Sequence, residues 1–184
     1  MSKPFSDLGI NILLQQGLAD LQISVPTDIQ KKTVPVVLNQ TEDLVAIAKT
    51  GTGKTAAFGI PLLQLVDIKK TNVQCVVLAP TRELGQQIHA NLTAYAAQCP
   101  EISIASVCGG IPIKPQIERL KTTTHIVIAT PGRLVDLVKR GAINLKQLSF
   151  LVLDEADEMV SALKQDLDLI IKEVPKTRRT LLFT

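Results

Sequence analysis

One glycine-containing loop constrains this chain more than any other feature: Ala48–Thr55, with the sequence AKTGTGKT. An apolar run, Asp43–Ile47, precedes the loop, and a helix-favouring run, Ala56–Phe58, follows it. The order strand, loop, helix puts the unpaired N–H groups at the start of a helix beside a backbone that can turn tightly, an arrangement that binds phosphate. The alternative is a turn that only caps a helix.

The residue types within the loop fit a nucleoside triphosphate bound with a cation. Gly51 and Gly53 let the backbone approach phosphate oxygens closely. Lys54 carries a charge that can reach the β and γ phosphates, and the Thr55 hydroxyl can ligate Mg²⁺. Ala48 occupies the position where the common G-x-x-x-x-G-K-[ST] pattern has glycine, so that pattern is not met in full.

Composition bounds the class of protein. The 184 residues are 46% apolar and 20% charged, as in a globular domain, and aromatic residues make up only 3%. A net charge of +3 permits an anionic partner without requiring one. The three cysteines lack C-x-x-C spacing, which favours reduced packing thiols and an intracellular, cytoplasmic location. The sequence shows no signal peptide and no apolar run near the ~20 residues of a membrane span.

Apolar runs and helical patterns alternate from Leu44 onward, which predicts an α/β fold: a doubly wound, mostly parallel sheet flanked by helices. The runs are nearly continuous in apolar residues, as in strands covered on both faces. The predicted strands are Leu44–Ala48, Cys75–Ala79, Ile102–Val107, Ile126–Ala129, Phe150–Leu153 and Leu181–Thr184. The predicted helices are Ile10–Leu21, a segment that starts near Thr27 and that Pro35 bends or shortens, Lys54–Leu65, Arg82–Ala97, Pro112–Leu120, Pro131–Arg140 and Leu163–Val174.

Polar residues follow the predicted strands at their carboxyl ends, where ligands bind in open α/β sheets. One strand ends in Asp154-Glu155. The first carboxylate can hold Mg²⁺ through water, and the second can orient or deprotonate a water aimed at a γ-phosphate. The alternative is an ordinary acidic turn before a helix. Three other strands lead into PTREL at 80–84, a Gly109-Gly110 doublet and TPGR at 130–133.

Taken together and in this order, these motifs resemble the DEAD-box family of ATP-dependent RNA helicases, over nearly the whole chain. Asp154–Asp157 reads DEAD, and Ala48–Thr55 is similar to the family's phosphate loop, A-x-x-G-x-G-K-T. Gln30, with Pro26-Thr27 before it and Phe5 further upstream, is similar to the adenine-reading Q motif. Two positions depart from that motif: Gln22 replaces a usual glycine and Asp28 a common proline.

The resemblance implies a RecA-like P-loop NTPase domain that uses ATP and Mg²⁺. Catalytic roles fall to Lys54, Asp154 and Glu155, with Thr55 and Asp154 placing the metal. Phe5 would stack on adenine, and Gln30 would hydrogen-bond its Hoogsteen edge. The implied nucleotide-binding residues are Phe5, Ile23, Thr27, Gln30, Thr50, Gly51, Thr52, Gly53, Lys54 and Thr55. The implied contacts to RNA backbone, independent of base sequence, are Pro80, Thr81, Arg82, Gly110, Thr130, Gly132 and Arg133.

The resemblance also implies a division of labour between domains. Residues 1–184 are expected to be one domain, with a Q-motif region at 1–41 and a P-loop core at 42–184. The family has a second RecA-like domain, and its absence here predicts a monomeric fragment with little activity of its own. Asp157 and Thr184 would couple nucleotide state to that second domain.

Three alternatives remain open from the sequence. The chain could be an RNA clamp that binds nucleotide without useful hydrolysis, or part of a DNA translocase. Arg82 and Arg133 could also be helix-start residues paired with nearby acids rather than RNA contacts.

Overall fold

The computed structural model describes residues 4–49 and 51–184. In this part of the chain a parallel sheet has the strand order β1-β6-β5-β2-β4-β3. The strands are β1 Leu44–Ala46, β2 Cys75–Leu78, β3 Ile104–Val107, β4 Ile126–Ala129, β5 Phe150–Asp154 and β6 Arg179–Phe183. All pairings are parallel, which confirms the predicted doubly wound α/β class.

The helices connect successive strands and cover both faces of the sheet. They are α1 Ile12–Asp20, α2 Asp28–Asn39, α3 Lys54–Leu65, α4 Arg82–Tyr95, α5 Ile113–Leu120, α6 Pro131–Lys139, α7 Ala156–Ala162 and α8 Lys164–Glu173, after a 3₁₀ turn at Phe5–Leu8. Helices α1 to α4 supply one apolar cluster, in which Phe58 meets Phe183 edge to face at 5.1 Å. Helices α6 to α8 supply the other cluster.

The central strands match the expectation of two covered faces, but an edge strand does not. Every residue of β2 and β4 is buried. In β1, by contrast, Val45 is 62% exposed, and Ile47 just beyond it is 80% exposed. Only one face of this edge strand is covered by the described residues, because α2 and α3 pack on the opposite side.

Two helix predictions need correction. Helix α2 runs through Pro35 to Asn39, so Pro35 does not shorten it, and a bend at Pro35 stays a prediction. Proline removes one N–H, but the last turn is held by the bond from Gln40 N to Val36 O, 3.0 Å, and by the Asn39 amide on Pro35 O, 2.9 Å. Helix α7 was not predicted. It begins directly after Glu155, which adopts φ +54°.

The cysteines and the buried histidine have packing roles. Cys75, Cys99 and Cys108 are all free and buried, as predicted, and burial raises the pKa of Cys75 to about 12. His125 accepts a hydrogen bond from Ser103 N at Nδ1, 3.0 Å, and its Nε2 lies 3.0 Å from Lys70 O. In the described ranges no helix is long and apolar enough to cross a bilayer.

Candidate functional site

The carboxyl edge of the sheet divides into two halves. The glycine loop follows β1 and the Asp154-Glu155 pair ends β5, with β6 between them. The remaining motifs follow β2, β4 and β3, which are adjacent in that order. Strand order alone therefore separates a carboxylate-bearing half from a half that carries the PTREL, TPGR and glycine-doublet segments.

The glycine loop is closed by bonds within itself and leads into a long helix. Thr52 donates from both N and Oγ1 to Lys49 O, at 3.3 and 2.6 Å. Gly51 and Gly53 have φ of +81° and +94°, in the left-handed region that favours glycine. Gly53 caps α3, so the free N–H groups at the start of α3 face the loop. Thr50 lies outside the described residues.

Gln30 connects the start of α2, the segment predicted to read adenine, to this loop. Its Oε1 accepts from Thr27 N at 2.9 Å, and its Nε2 donates to Gly53 O at 3.2 Å. The side chain is buried between the start of α2 and the loop. A cleft of about 470 Å³ opens beside them, within the size range of ligand pockets. Its lining consists of Thr27, Asp28, Ile29, Lys32, Ile47, Ala48, Lys49 and Thr52.

The structure does not support the stacking role predicted for Phe5. The side chain is 4% exposed and belongs to the same buried apolar cluster as Leu8 and Leu14, and it does not line the cleft. The resemblance alone suggested this role, and adenine stacking by Phe5 would require the ring to become exposed. Ile23 is half-buried against the same cluster and does not line the cleft. Gln22 adopts φ +60°, which explains why glycine suits that position.

Lys54 and Glu155 form an ion pair at this half of the edge. Lys54 Nζ lies 3.0 Å from Glu155 Oε1, and Lys54 is only 7% exposed. A buried ammonium needs a partner, and Glu155 provides it. Glu155 adopts a left-handed backbone conformation, which is rare and costly for a residue with a side chain.

Asp154 fits a cation site. It is buried, and its Oδ1 has no hydrogen-bond partner. Burial first, and the negative charge of Glu155 second, raise the pKa of Asp154 to about 6, against the opposing effect of Lys54. The described residues hold no group of three or more His, Cys, Asp or Glu side chains arranged for a metal. Mg²⁺ needs no such group, because it keeps several waters and uses one or two protein ligands.

The raised pKa predicts how the stability of the metal-free chain depends on pH. Because the folded state binds the Asp154 proton more tightly, stability falls as pH rises from about 4 to 6. Asparagine does not ionise, so Asp154→Asn removes this loss of stability. The free energy of unfolding of the variant, relative to that of the wild type, should therefore rise by roughly 1–2 kcal/mol between pH 5 and 7.5. Urea unfolding of both proteins in EDTA at the two pH values measures this. A difference in free energy of unfolding that stays constant with pH would contradict the raised pKa of Asp154.

The half of the edge that follows β2, β4 and β3 presents hydrogen-bond donors. Thr81 Oγ1 accepts from Leu84 N at 3.3 Å, and Thr130 Oγ1 accepts from Gly109 N at 3.0 Å. Each hydroxyl hydrogen therefore remains free to donate to an anion. Arg82 lies 3.4 Å from Gly110 O. Gly132 lies exposed in the first turn of α6, and half-buried Pro80 joins β2 to α4.

The arginines of this half are not paired with acids, which removes one alternative. Arg133 donates to Gln116 Oε1 at 2.7 Å and to Ile111 O at 2.9 Å, and neither it nor Arg82 forms an ion pair within the described ranges. Sequence reasoning missed Gln116. The available signal was a glutamine on the otherwise apolar face of α5.

Asp157 and Thr184 do meet. A hydrogen bond from the Thr184 side chain lowers the pKa of Asp157. Thr184 extends β6 alongside β1, donating to Ala46 O at 3.1 Å and accepting from Ala48 N at 2.9 Å. The residue at the end of β6 thus touches both the glycine-loop strand and the acidic helix start.

A parallel α/β sheet with a glycine loop after β1 and an acidic pair after β5 defines the class of P-loop nucleotide-binding domains. A sequence model described as "DEAD/DEAH box helicase" matches residues 27–184. The chain belongs to this DEAD/DEAH box helicase family.

Individual relatives agree with this assignment. The chain is 40% identical over 181 residues to the DEAD-box ATP-dependent RNA helicase CshA of Geobacillus kaustophilus, and 41% identical to the ATP-dependent RNA helicase CshA of Listeria monocytogenes. Each alignment covers 98% of this chain, which spans 38% and 34% of the two relatives' lengths.

Solved structures show the same fold. A DEAD box protein from the hyperthermophile Methanococcus jannaschii superposes with a TM-score of 0.93 at 36% identity, covering all of this chain and 50% of that one. Saccharomyces cerevisiae Dbp5 L327V, bound to RNA and ADP BeF3, superposes with a TM-score of 0.90 at 26% identity, covering 46% of that chain. The RecA-like fold expected from the motifs is therefore confirmed.

Proposed function

We propose that residues 1–184 form the ATP- and RNA-binding first domain of an ATP-dependent RNA helicase, which couples ATP hydrolysis to RNA duplex separation or remodelling of RNA–protein complexes. The observation that carries this is the divided sheet edge. One half holds a lysine, a glycine loop and two carboxylates, and the other holds hydroxyls, arginines and helix N-termini that donate to anions. Relatives named as RNA helicases, and Dbp5 bound to RNA and ADP BeF3, support the same two ligands, RNA and an adenine nucleotide.

On the nucleotide half, each residue has a distinct task. Arriving phosphates would replace Glu155 as the partner of Lys54, because Lys54 is buried and keeps its charge paired. Release of Glu155 frees its carboxylate to orient a water. Thr55 and Asp154 would hold Mg²⁺, which, when bound, neutralises phosphate charge. Asp157, with Thr184, would pass the change to a second RecA-like domain.

On the RNA half, the contacts proposed are to backbone phosphates and sugars. The side-chain donors are Thr81, Arg82, Thr130 and Arg133, and the N-termini of α4 and α6 add N–H groups. Gly110, at φ +77°, Pro80 and Gly132 would let RNA approach the backbone. Such groups do not distinguish bases, so binding should be independent of RNA sequence.

Nucleotide choice tests the adenine-reading role. Gln30 is fixed by Thr27 N on its oxygen and by Gly53 O on its nitrogen, so its amide cannot turn freely. The remaining lone pair of the amide oxygen can accept from adenine N6, and the remaining N–H can donate to adenine N7. Guanine instead places its O6 acceptor opposite the amide oxygen, where no hydrogen bond can form. ADP should bind about tenfold more tightly than GDP, since one unmatched pair costs ~1–3 kcal/mol.

Isothermal titration of the chain with Mg·ADP and Mg·GDP measures this preference. Gln30→Met removes both the donor and the acceptor of the side-chain amide and should bring the two dissociation constants within about twofold of each other. Equal affinities in the wild type would refute adenine reading by Gln30. Failure of both nucleotides to bind would refute the proposed function itself.

A further inference from the structure

A buried glutamine stands at the centre of an apolar helix face. Helix α5 packs on the sheet through Ile113, Ile117 and Leu120, which are only partly buried. Gln116 lies on the same face at helical spacing and is 5% exposed, the most buried residue of the helix. Burying an amide is unfavourable unless both of its ends are hydrogen-bonded, so the bonds of Gln116 must account for its presence.

Those bonds join three segments of the edge. Gln116 Nε2 donates to Cys108 O at 3.0 Å, just before the glycine doublet. Its Oε1 accepts from Arg133 Nη1 at 2.7 Å, at the start of α6, while Arg133 Nη2 donates to Ile111 O at 2.9 Å. Gln116 therefore links the doublet, α5 and the TPGR segment through one side chain.

The consequence for Arg133 is a fixed guanidinium. Two of its N–H groups are held by acceptors of known position, and the rest stay available for an anion. The partner is a neutral amide rather than a carboxylate, so the arginine keeps an uncompensated positive charge. An arginine held in place loses less side-chain entropy when it binds a ligand.

We propose that Gln116 is a positioning residue for RNA binding: it holds Arg133 and the glycine doublet in one arrangement that a phosphate of RNA can join. This inference rests on the proposed function, because it takes Arg133 to contact RNA. Gln116 itself touches no RNA in this scheme. A role limited to core packing would predict that its loss lowers stability without acting through Arg133.

A double-mutant cycle separates these cases. Gln116→Met keeps the side-chain length but loses both hydrogen bonds, and Arg133→Met removes the charge. The probe is a fluorescein-labelled single-stranded ten-nucleotide oligouridylate, titrated in low salt and followed by anisotropy. Gln116→Met should weaken binding about 3- to 10-fold in the wild type and have no further effect in the Arg133→Met background. Arg133→Met should also reduce the salt slope, log K against log[salt], by about 1.

A matched control is available in Gln74. It is 4% exposed, and its side-chain amide also makes two hydrogen bonds: Oε1 accepts from Asp67 N at 2.9 Å, and Nε2 donates to Asp67 O at 2.8 Å. It lies just before β2, at the amino-terminal ends of the strands and thus away from the carboxyl edge that carries the motifs. Gln74→Met should leave RNA affinity unchanged, and Gln116→Met should leave ADP affinity unchanged. Gln116→Leu provides a second variant with the same expected result if the methionine protein folds poorly.

The outcomes are distinct. If Arg133→Met leaves RNA affinity and salt slope unchanged, the assignment of Arg133 to RNA fails, and the inference fails with it. If Arg133→Met weakens binding while Gln116→Met has no effect, or an effect that simply adds in the double variant, only the positioning role of Gln116 is overturned. An effect of Gln74→Met on RNA affinity equal to that of Gln116→Met would also overturn it.

Discussion

Lys54→Ala should weaken Mg·ADP binding about 10- to 100-fold, whereas Glu155→Gln should leave it intact or slightly tighter. Lys54 is buried and can face the phosphates directly, and a charged hydrogen bond contributes ~1.5–3 kcal/mol. Glu155 is the present partner of Lys54 at 3.0 Å and competes with phosphate for it. Removing the carboxylate charge removes that competition.

Isothermal titration of the three proteins measures this difference. Lys69→Ala, an exposed lysine beyond α3, and Glu173→Gln, an exposed glutamate at the end of α8, are the matched controls and should bind as the wild type does. In any longer protein that hydrolyses ATP, Glu155→Gln should also abolish turnover, because the role proposed for Glu155 is to act on water in the transition state. A Lys54→Ala protein that binds ADP normally would remove Lys54 from the phosphate site.

Periodicity and motif order predicted most of the architecture, because they depend on local patterns. The runs at Cys75–Ala79 and Ile126–Ala129 became the buried strands β2 and β4 with little change. The strand order was not predictable from them, since it depends on how helices cross the sheet. That order is what separates the half of the edge proposed to bind nucleotide from the half proposed to bind RNA.

The features that sequence reasoning missed depend on distant contacts. Lys54 and Glu155 are 101 residues apart, so their pairing needed the folded sheet. The burial of Phe5 likewise depends on packing with other helices, which a motif cannot show. Gln116 was missed because a glutamine on a helix face is normally solvent-exposed, and only its two partners explain its burial.

Helix α7 and the exposed side of β1 show a different limit. Residues 156–162 are few and follow Glu155, whose backbone is left-handed, so their short pattern carried little helical signal. In β1 the apolar run predicted two covered faces, yet Val45 and Ile47 are exposed. An apolar run indicates a strand but not its place in the sheet, and β1 is an edge.

RNA-stimulated ATP hydrolysis by residues 1–184 alone should be negligible, about 10³- to 10⁵-fold below that of a helicase with an arginine finger. Such a finger stabilises charge on the γ-phosphate from the side opposite the glycine loop. Every arginine of this chain is bonded elsewhere. The acceptors are Gly110 O for Arg82, Ser103 Oγ for Arg119, Gln116 for Arg133, Asp136 for Arg140, Pro175 O for Arg178 and Val37 O for Arg179.

RNA binding by this one domain should be weak for a related reason. With roughly three phosphates neutralised, log K should fall with log[salt] at a slope of about −2, so little RNA is bound at physiological salt.

The test of the hydrolysis prediction measures phosphate release and duplex unwinding with and without RNA, using the full-length CshA of Geobacillus kaustophilus as the benchmark helicase. The CshA reaction should be RNA-stimulated and that of residues 1–184 should not. Robust RNA-stimulated turnover by these residues would show that one of their own cations serves as the finger, and Lys32 and Lys49, which line the cleft beside the loop, would then be the first to replace.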